Sequence, residues 1–311
     1  MADPPPTSEP PTKTSRKFFV PLECNPEVMT SLLHTLGLSS TLAIHDVYSI
    51  NDPDLLSFVP RPAYALLLVF PTNDTYEAFR VAEDSTIDAY TGSGPGEPVM
   101  WFRQTIGNAC GLMALLHAAA NGGAKDYIDP SSTLGTLFAA ATPLPPTERA
   151  ALLYNSAALE AAHQASAQQG DSVAPPATDD IDLHYVAFVA SGGRLWELDG
   201  SRTGPLDRGP IDGDALCEEA LEKGPRAFMK REKEGGEPTE RHCWHQPAAH
   251  TRRPRDFYGL PVLELGECAA DSAIGSDSAA CIGFVPPYIH IHTQTHTSDL
   301  PAKKYVLRMA K

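Results

Sequence analysis

The stretch QTIGNACGL, residues 104–112, sets Cys110 between a polar loop and an apolar, helix-forming run. A thiolate is a nucleophile, and the free N–H groups and dipole at a helix start favour its negative charge. With Asn108 as the N-cap, Cys110 falls at the second helical position. Gln104, six residues earlier, offers a side-chain amide to stabilise an oxyanion. A thiol nucleophile also needs a base within reach and a third group to orient that base. The candidates are His184 in DLHYVAFVA and Asp199 in RLWELDG. If Ser191-Gly192 forms a two-residue turn, Ala190 pairs with Gly193 and His184 faces Asp199, with Cβ atoms about 4.5–5.5 Å apart. A three-residue turn that includes Gly193 would slip this register and break the pairing.

Positioning these groups requires a helix beginning at Cys110, stopped at Asn121-Gly122-Gly123, and a hairpin over residues 182–200. Helices are also expected over 26–36, ending at Gly37, and over 131–141, 147–163 and 213–230. The stretches IHDVYSI and AYALLLVFP read as strands. Residues 164–180 have no periodicity and many turn formers, and a loop of that length inside a domain is commonly functional. Residues 1–17, rich in Pro, Thr, Ser and charge, read as a disordered tail. A folded domain is expected over 18–233.

The composition, 42% hydrophobic and 20% charged over 311 residues, suits a soluble globular protein. A net charge of −15 argues against nucleic-acid binding and for a basic partner. The longest apolar run, residues 63–70, is far below the roughly 20 residues that cross a bilayer. The start MADPPPTSEP lacks the features of a secretory signal. The six dispersed cysteines are expected as reduced thiols, with Cys24 and Cys217 as packing residues, which points to the cytoplasm, with the nucleus as a second location.

In order and spacing, PLECNPEV (21–28), DVY (46–48), VPRP (59–62), QTIGNACG (104–111), DLH (182–184) and ELDG (197–200) resemble the ubiquitin carboxyl-terminal hydrolase family of cysteine deubiquitinases. The resemblance covers about residues 17–232. It implies an α+β, papain-like fold with helices flanking a largely antiparallel sheet and a knotted backbone. It implies Cys110 as nucleophile, His184 as general base and later acid, Asp199 as its orienting carboxylate and Gln104 as oxyanion donor. The implied reaction releases small or flexible adducts from the C-terminal glycine of ubiquitin. Residues 164–180 would be the crossover loop over the cleft. Ubiquitin, the implied partner of a monomer, would dock on Pro21, Leu22 and Glu23, on Ala167 and Ala174 of the loop, and on the acidic side chains of Glu27 and Asp46. No metal or organic cofactor is implied, and neither a membrane nor nucleic acid is expected as a partner.

One departure stands out. Nothing after RAFMKRE (226–232) matches the strand that closes the family domain. Residues 234–311 are expected as an atypical, poorly ordered tail, with KYVLRM (304–309) disfavoured as a strand because Arg308 interrupts its apolar run. The alternating His and Thr of PPYIHIHTQTHT (286–297) are what a cytosine–adenine repeat encodes, so part of this tail reads as translated intron. His290, His292 and His296, with Cys281 or the HCWH run at 242–245, lack the spacing of a tetrahedral metal site. A domain without its last strand suggests a second function, a ubiquitin-binding protein with impaired catalysis.

Overall fold

Residues 63–71 are apolar at nearly every position, a pattern that calls for burial on both faces and a hydrogen-bonded partner along each edge. The structure is a computed structural model, and it describes residues 16–179, 181–234 and 303–309. The run forms β2 (Ala63–Pro71). Its partners are β3 (Leu183–Ser191) and β6 (Lys303–Met309), both antiparallel. β1 (Leu42–Asp46) flanks β6, while β4 (Arg194–Leu198) and β5 (Leu206–Pro210) extend the other side, giving the order β1-β6-β2-β3-β4-β5.

Side-chain alternation sorts the sheet into two cores. Ala65, Leu67 and Val69 of β2, with Tyr185, Ala187 and Val189 of β3, face one core. That core also takes α1 (Pro26–Leu36), α4 (Cys110–Ala120), α5 (Thr133–Ala141), α6 (Pro146–Tyr154) and α7 (Ala157–Ala167). Leu66, Leu68 and Phe70 point the other way, with Val186 and Phe188, toward α8 (Glu218–Leu221) and Phe228 of α9 (Ala227–Glu234). This is the α+β arrangement expected, with helices on both faces of an antiparallel sheet.

Local chemistry sets most boundaries. Asn25 accepts from Glu27 N and Val28 N to cap α1, and Gly37, at φ 113°, ends it. The single helix expected over 147–163 is two, because Asn155 closes α6 and Ser156 caps α7 through Leu159 N. The helix expected over 213–230 starts later, and between α8 and α9 it widens into a π-turn at residues Glu222–Arg226, where Pro225 has no N–H to donate. Two polar-capped helices were not foreseen, α2 (Pro53–Ser57) and α3 (Asp74–Asp84).

The largest correction concerns the tail. Residues 303–309 supply the strand thought to be missing, inserted between β1 and β2, with Leu42 opposite Met309 and Leu66 opposite Val306. Arg308 stands at the end of the β2 ladder, beside the irregularity between Ala63 and Ala65, and not in its middle. Without β6, both β1 and β2 would carry unmet backbone groups inside the sheet. That need outweighs the interrupted apolar pattern. At the other end, Lys17 belongs to the fold and not to the tail. Its carbonyl accepts from Gly107 N, and its ammonium donates to Tyr154 O and pairs with Glu160. The expectations for residues 1–15, the metal-ligand candidates and the His/Thr stretch lie outside the described residues.

Candidate active site

Cys110 is the first residue of α4, one position earlier than expected. Asn108 is not the cap. It takes the left-handed conformation (φ 54°), which Asn tolerates better than most residues, and this turns its side chain away from the helix. The α4 N-cap is Ala109, and no side chain caps the N–H groups there. The Cys110 thiol lies 3.9 Å from the carbonyl of Leu183, the residue before His184.

His184 and Asp199 meet, but by a different register from the one expected. The hairpin turns at Gly192-Gly193, both at positive φ (60° and 70°), so Ser191 pairs with Arg194 and Ala187 with Leu198. Two consecutive left-handed residues suit the right-handed twist of a tight hairpin, and glycine adopts them without strain. Continuing that register would set Asp199 opposite Val186, diagonal to His184 on the same face and still within reach. His184 Nε2 lies 2.9 Å from Asp199 Oδ1.

Asp199 is fully buried. Its Oδ1 also accepts from the N–H and hydroxyl of Ser201, both at 2.8 Å, and its Oδ2 accepts from the Tyr76 hydroxyl at 2.9 Å. The Trp101 indole donates to its backbone carbonyl. Burial would raise its pKa, but His184 and the Ser201 donors prevail and hold it well below the usual carboxylate range. Burial likewise pulls His184 down, yet the Asp199 charge and hydrogen bond, with a hydrogen bond to the Cys110 side chain, raise it to about 10. The Tyr76 phenol is pushed far up, by burial first and then by Asp199, so it stays protonated.

Gln104 joins this group through its backbone N–H, which donates to Gly200 O at 2.8 Å. Gly200 has to be glycine for that approach, since a Cβ there would come 2.9 Å from Gln104 Cβ. The Gln104 side-chain amide donates to Ile106 O, and its buried Oε1 has no hydrogen-bond partner among the described residues.

A thiol at a helix start, beside an imidazole held by a fully buried carboxylate, is suited to acyl transfer. The sequence profile of the ubiquitin carboxyl-terminal hydrolase family 1 matches residues 19–230. This chain belongs to that family. A ubiquitin carboxyl-terminal hydrolase from Aplysia californica is 36% identical over 220 residues, covering 71% of this chain and 99% of the relative. Ubiquitin carboxyl-terminal hydrolase 3 from Arabidopsis thaliana is 35% identical, over 68% of this chain and 91% of its own. Among solved structures, the Trichinella spiralis UCH37 catalytic domain bound to ubiquitin vinyl methyl ester shares the fold. It has a TM-score of 0.52 at 23% identity, over 72% of this chain and 91% of that one. The chain is therefore a papain-like, cysteine-type hydrolase.

The hydrolase distributes the expected docking residues unevenly. Glu27 and Asp46 are exposed, Pro21 and Ala174 are half-buried, and Leu22 is buried. Ala167 does not lie on the loop expected over residues 164–180. It is the last residue of α7, packed into the core at 6% exposure, because the helix runs on past residue 164. Glu23 is occupied by the loop itself, accepting from Ser172 N, the Ser172 hydroxyl and Asp171 N. Burial would raise the Glu23 pKa, but these donors lower it. The other flank is held by Asn108, whose amide donates to Ala177 O (2.9 Å) and Asp179 O (2.8 Å).

Tyr76, Ser201, Trp101 and the loop-anchoring role of Asn108 were not foreseen. The available signal for Tyr76 was Asn73, which caps α3 by accepting from Tyr76 N. Cys24 and Cys217 are half-buried and in no disulfide, and Cys24 shares a hydrogen bond with the Tyr185 hydroxyl. Among the described residues no group of three or more His, Cys, Asp or Glu is arranged to hold a metal, and no helix is long and apolar enough to cross a membrane.

Proposed function

We propose that this hydrolase releases small or flexible adducts from the C-terminal glycine of ubiquitin, using Cys110, His184, Asp199 and Gln104. The observation that carries this reading is the 2.9 Å His184–Asp199 pair beside Cys110 at the start of α4. The Cys110 thiolate, with the His184 imidazolium as its counter-charge, attacks the carbonyl carbon of that glycine. The Gln104 amide turns from Ile106 O to donate to the oxyanion. The oxyanion collapses as His184 gives its proton to the leaving group, so the adduct departs and a thioester remains. Water then attacks the thioester, His184 takes its proton, and ubiquitin leaves with a free carboxylate. No step calls on a metal or an organic cofactor.

The loop after α7, held by Glu23 on one side and by Asn108, two residues from Cys110, on the other, supports a preference for small or flexible adducts. Glu27 and Asp46 offer acidic contacts to a basic face of ubiquitin, within a chain of net charge −15. We place the enzyme in the cytoplasm or nucleus as a monomer. The reading of a ubiquitin binder with impaired catalysis loses its premise, since β6 supplies the closing strand. One experiment tests the proposal: an electrophilic ubiquitin probe should label the protein at Cys110. Cys110→Ala should abolish labelling and lower turnover of a fluorogenic ubiquitin ester by at least about a thousandfold, with ubiquitin affinity retained. Turnover surviving in that variant would overturn the mechanism.

A further inference from the structure

Tyr76 is the sole buried residue of α3, 2% exposed on an otherwise solvated helix. Its ring packs edge-on against Phe70 (4.8 Å between centroids) and beside Phe228 (5.8 Å), and it tilts toward the His184 imidazole at 6.2 Å. Its hydroxyl meets Asp199 Oδ2, the carboxylate oxygen that His184 does not use. The same helix grips the residues that follow. Arg80 donates to Ser201 O, while Glu83 and Asp84 pair with the buried Arg202.

We propose that Tyr76 is a positioning residue of the hydrolase: through its hydroxyl on Asp199 it fixes that carboxylate's orientation and sets the ionisation of His184. The carboxylate divides its charge between two oxygens. Donation to Oδ2 draws charge away from Oδ1, which faces the imidazole, and so moderates the stabilisation of the imidazolium. It also stops the carboxylate from turning about its Cβ–Cγ bond and leaving His184. Several other groups act on this cluster. Cys110 and His117 lie on α4, Glu197 on β4, Arg202 on the loop after it, and Arg80 on α3.

The proposal rests on the catalytic reading of Cys110, His184 and Asp199, so its first test needs no turnover. In the Cys110→Ala background, which removes the thiol's own ionisation, the His184 imidazole is titrated by NMR with Tyr76 intact. The titration is repeated in Tyr76→Phe and with a ring-fluorinated tyrosine, a stronger donor, at position 76. Losing the hydroxyl should raise the His184 pKa, changing its ionisation constant about three- to tenfold, the scale of one hydrogen bond. The fluorinated residue should move it in the opposite direction. Shifts of one sign in both proteins, or no shift in either, would overturn the proposal. If Tyr76→Phe fails to fold, the fluorinated protein, which keeps ring and hydroxyl, decides alone. With Cys110 restored, Tyr76→Phe should lower kcat on a ubiquitin ester about tenfold with KM unchanged. A rise in KM with kcat unchanged would instead assign Tyr76 to ubiquitin docking and overturn the proposal. A wild-type enzyme without turnover would defeat the functional reading and leave the titration to judge Tyr76.

Discussion

At Asp199 a carboxylate is both buried and ionised, a state tolerated only when its lone pairs are met by donors and a counter-charge. His184, Ser201 and Tyr76 meet that requirement, and the consequence for stability has a definite sign. His184, raised to about 10 in the fold, contributes stability that is complete below its unfolded value near 6.5 and lost as pH rises through 10. Asp199, depressed in the fold, contributes stability that is complete above its unfolded value near 3.9 and lost only as pH falls toward its lower folded value. Asp199→Asn should therefore destabilise the enzyme most between about pH 4 and 6.5, by about 3 kcal/mol, the scale of breaking a buried pair. Denaturant titrations of both proteins across pH 4–10 should show the gap narrowing above pH 6.5; a constant gap would refute the assignment. The residue types of this pair, with Cys110 and Gln104, were legible in the chain because their chemistry is rare and their spacing ordered. Tyr76 was not. One buried aromatic on a polar helix leaves no apolar stripe, and its partner is 123 positions away in sequence.

The elements show where pattern reading succeeds and where it stops. The β2 run and α1 were legible from apolar continuity and from Gly37 as the helix stop. The hairpin was legible in kind but not in register, because Ser191-Gly192 and Gly192-Gly193 are both acceptable turns and only the three-dimensional twist selects between them. The segment after α7 was legible as a loop, yet its anchors were not, since Asn108 looks like a helix cap until its φ is known. That loop yields a prediction. Asn108→Gly keeps the left-handed turn and removes both bonds to Ala177 and Asp179. It should raise the ratio of kcat/KM for bulky over small ubiquitin adducts by up to about tenfold, the value of one or two hydrogen bonds. Asn108→Ala should lose thermal stability as well, by about 1 kcal/mol, because alanine resists that φ. An unchanged adduct ratio in the Gly variant would mean that Asn108 does not restrain the loop.

For the whole molecule, the placement of β6 matters most. Its pattern, KKYVLRM, is short, carries charge, and stands far in sequence from the rest of the sheet, so no local signal distinguishes it from a tail. Pairing with β1 and β2 gives it its identity. Deleting residues 303–311 should leave two strands with open edges in mid-sheet. The cooperative melting transition should drop by more than about 10 °C or vanish, and the protein should aggregate through the unpaired backbone. An unchanged melting curve by calorimetry would show that β6 is dispensable. The same placement also orders events during synthesis. The ribosome delivers β1 and β2 well before the strand that lies between them, so Leu42 waits for Met309 across a long intervening stretch of polypeptide. A nascent chain must hold an unfilled slot until those residues emerge. Contacts this distant are the slow ones to form, so the enzyme should complete its sheet late, and depend on chaperones that shield strand edges.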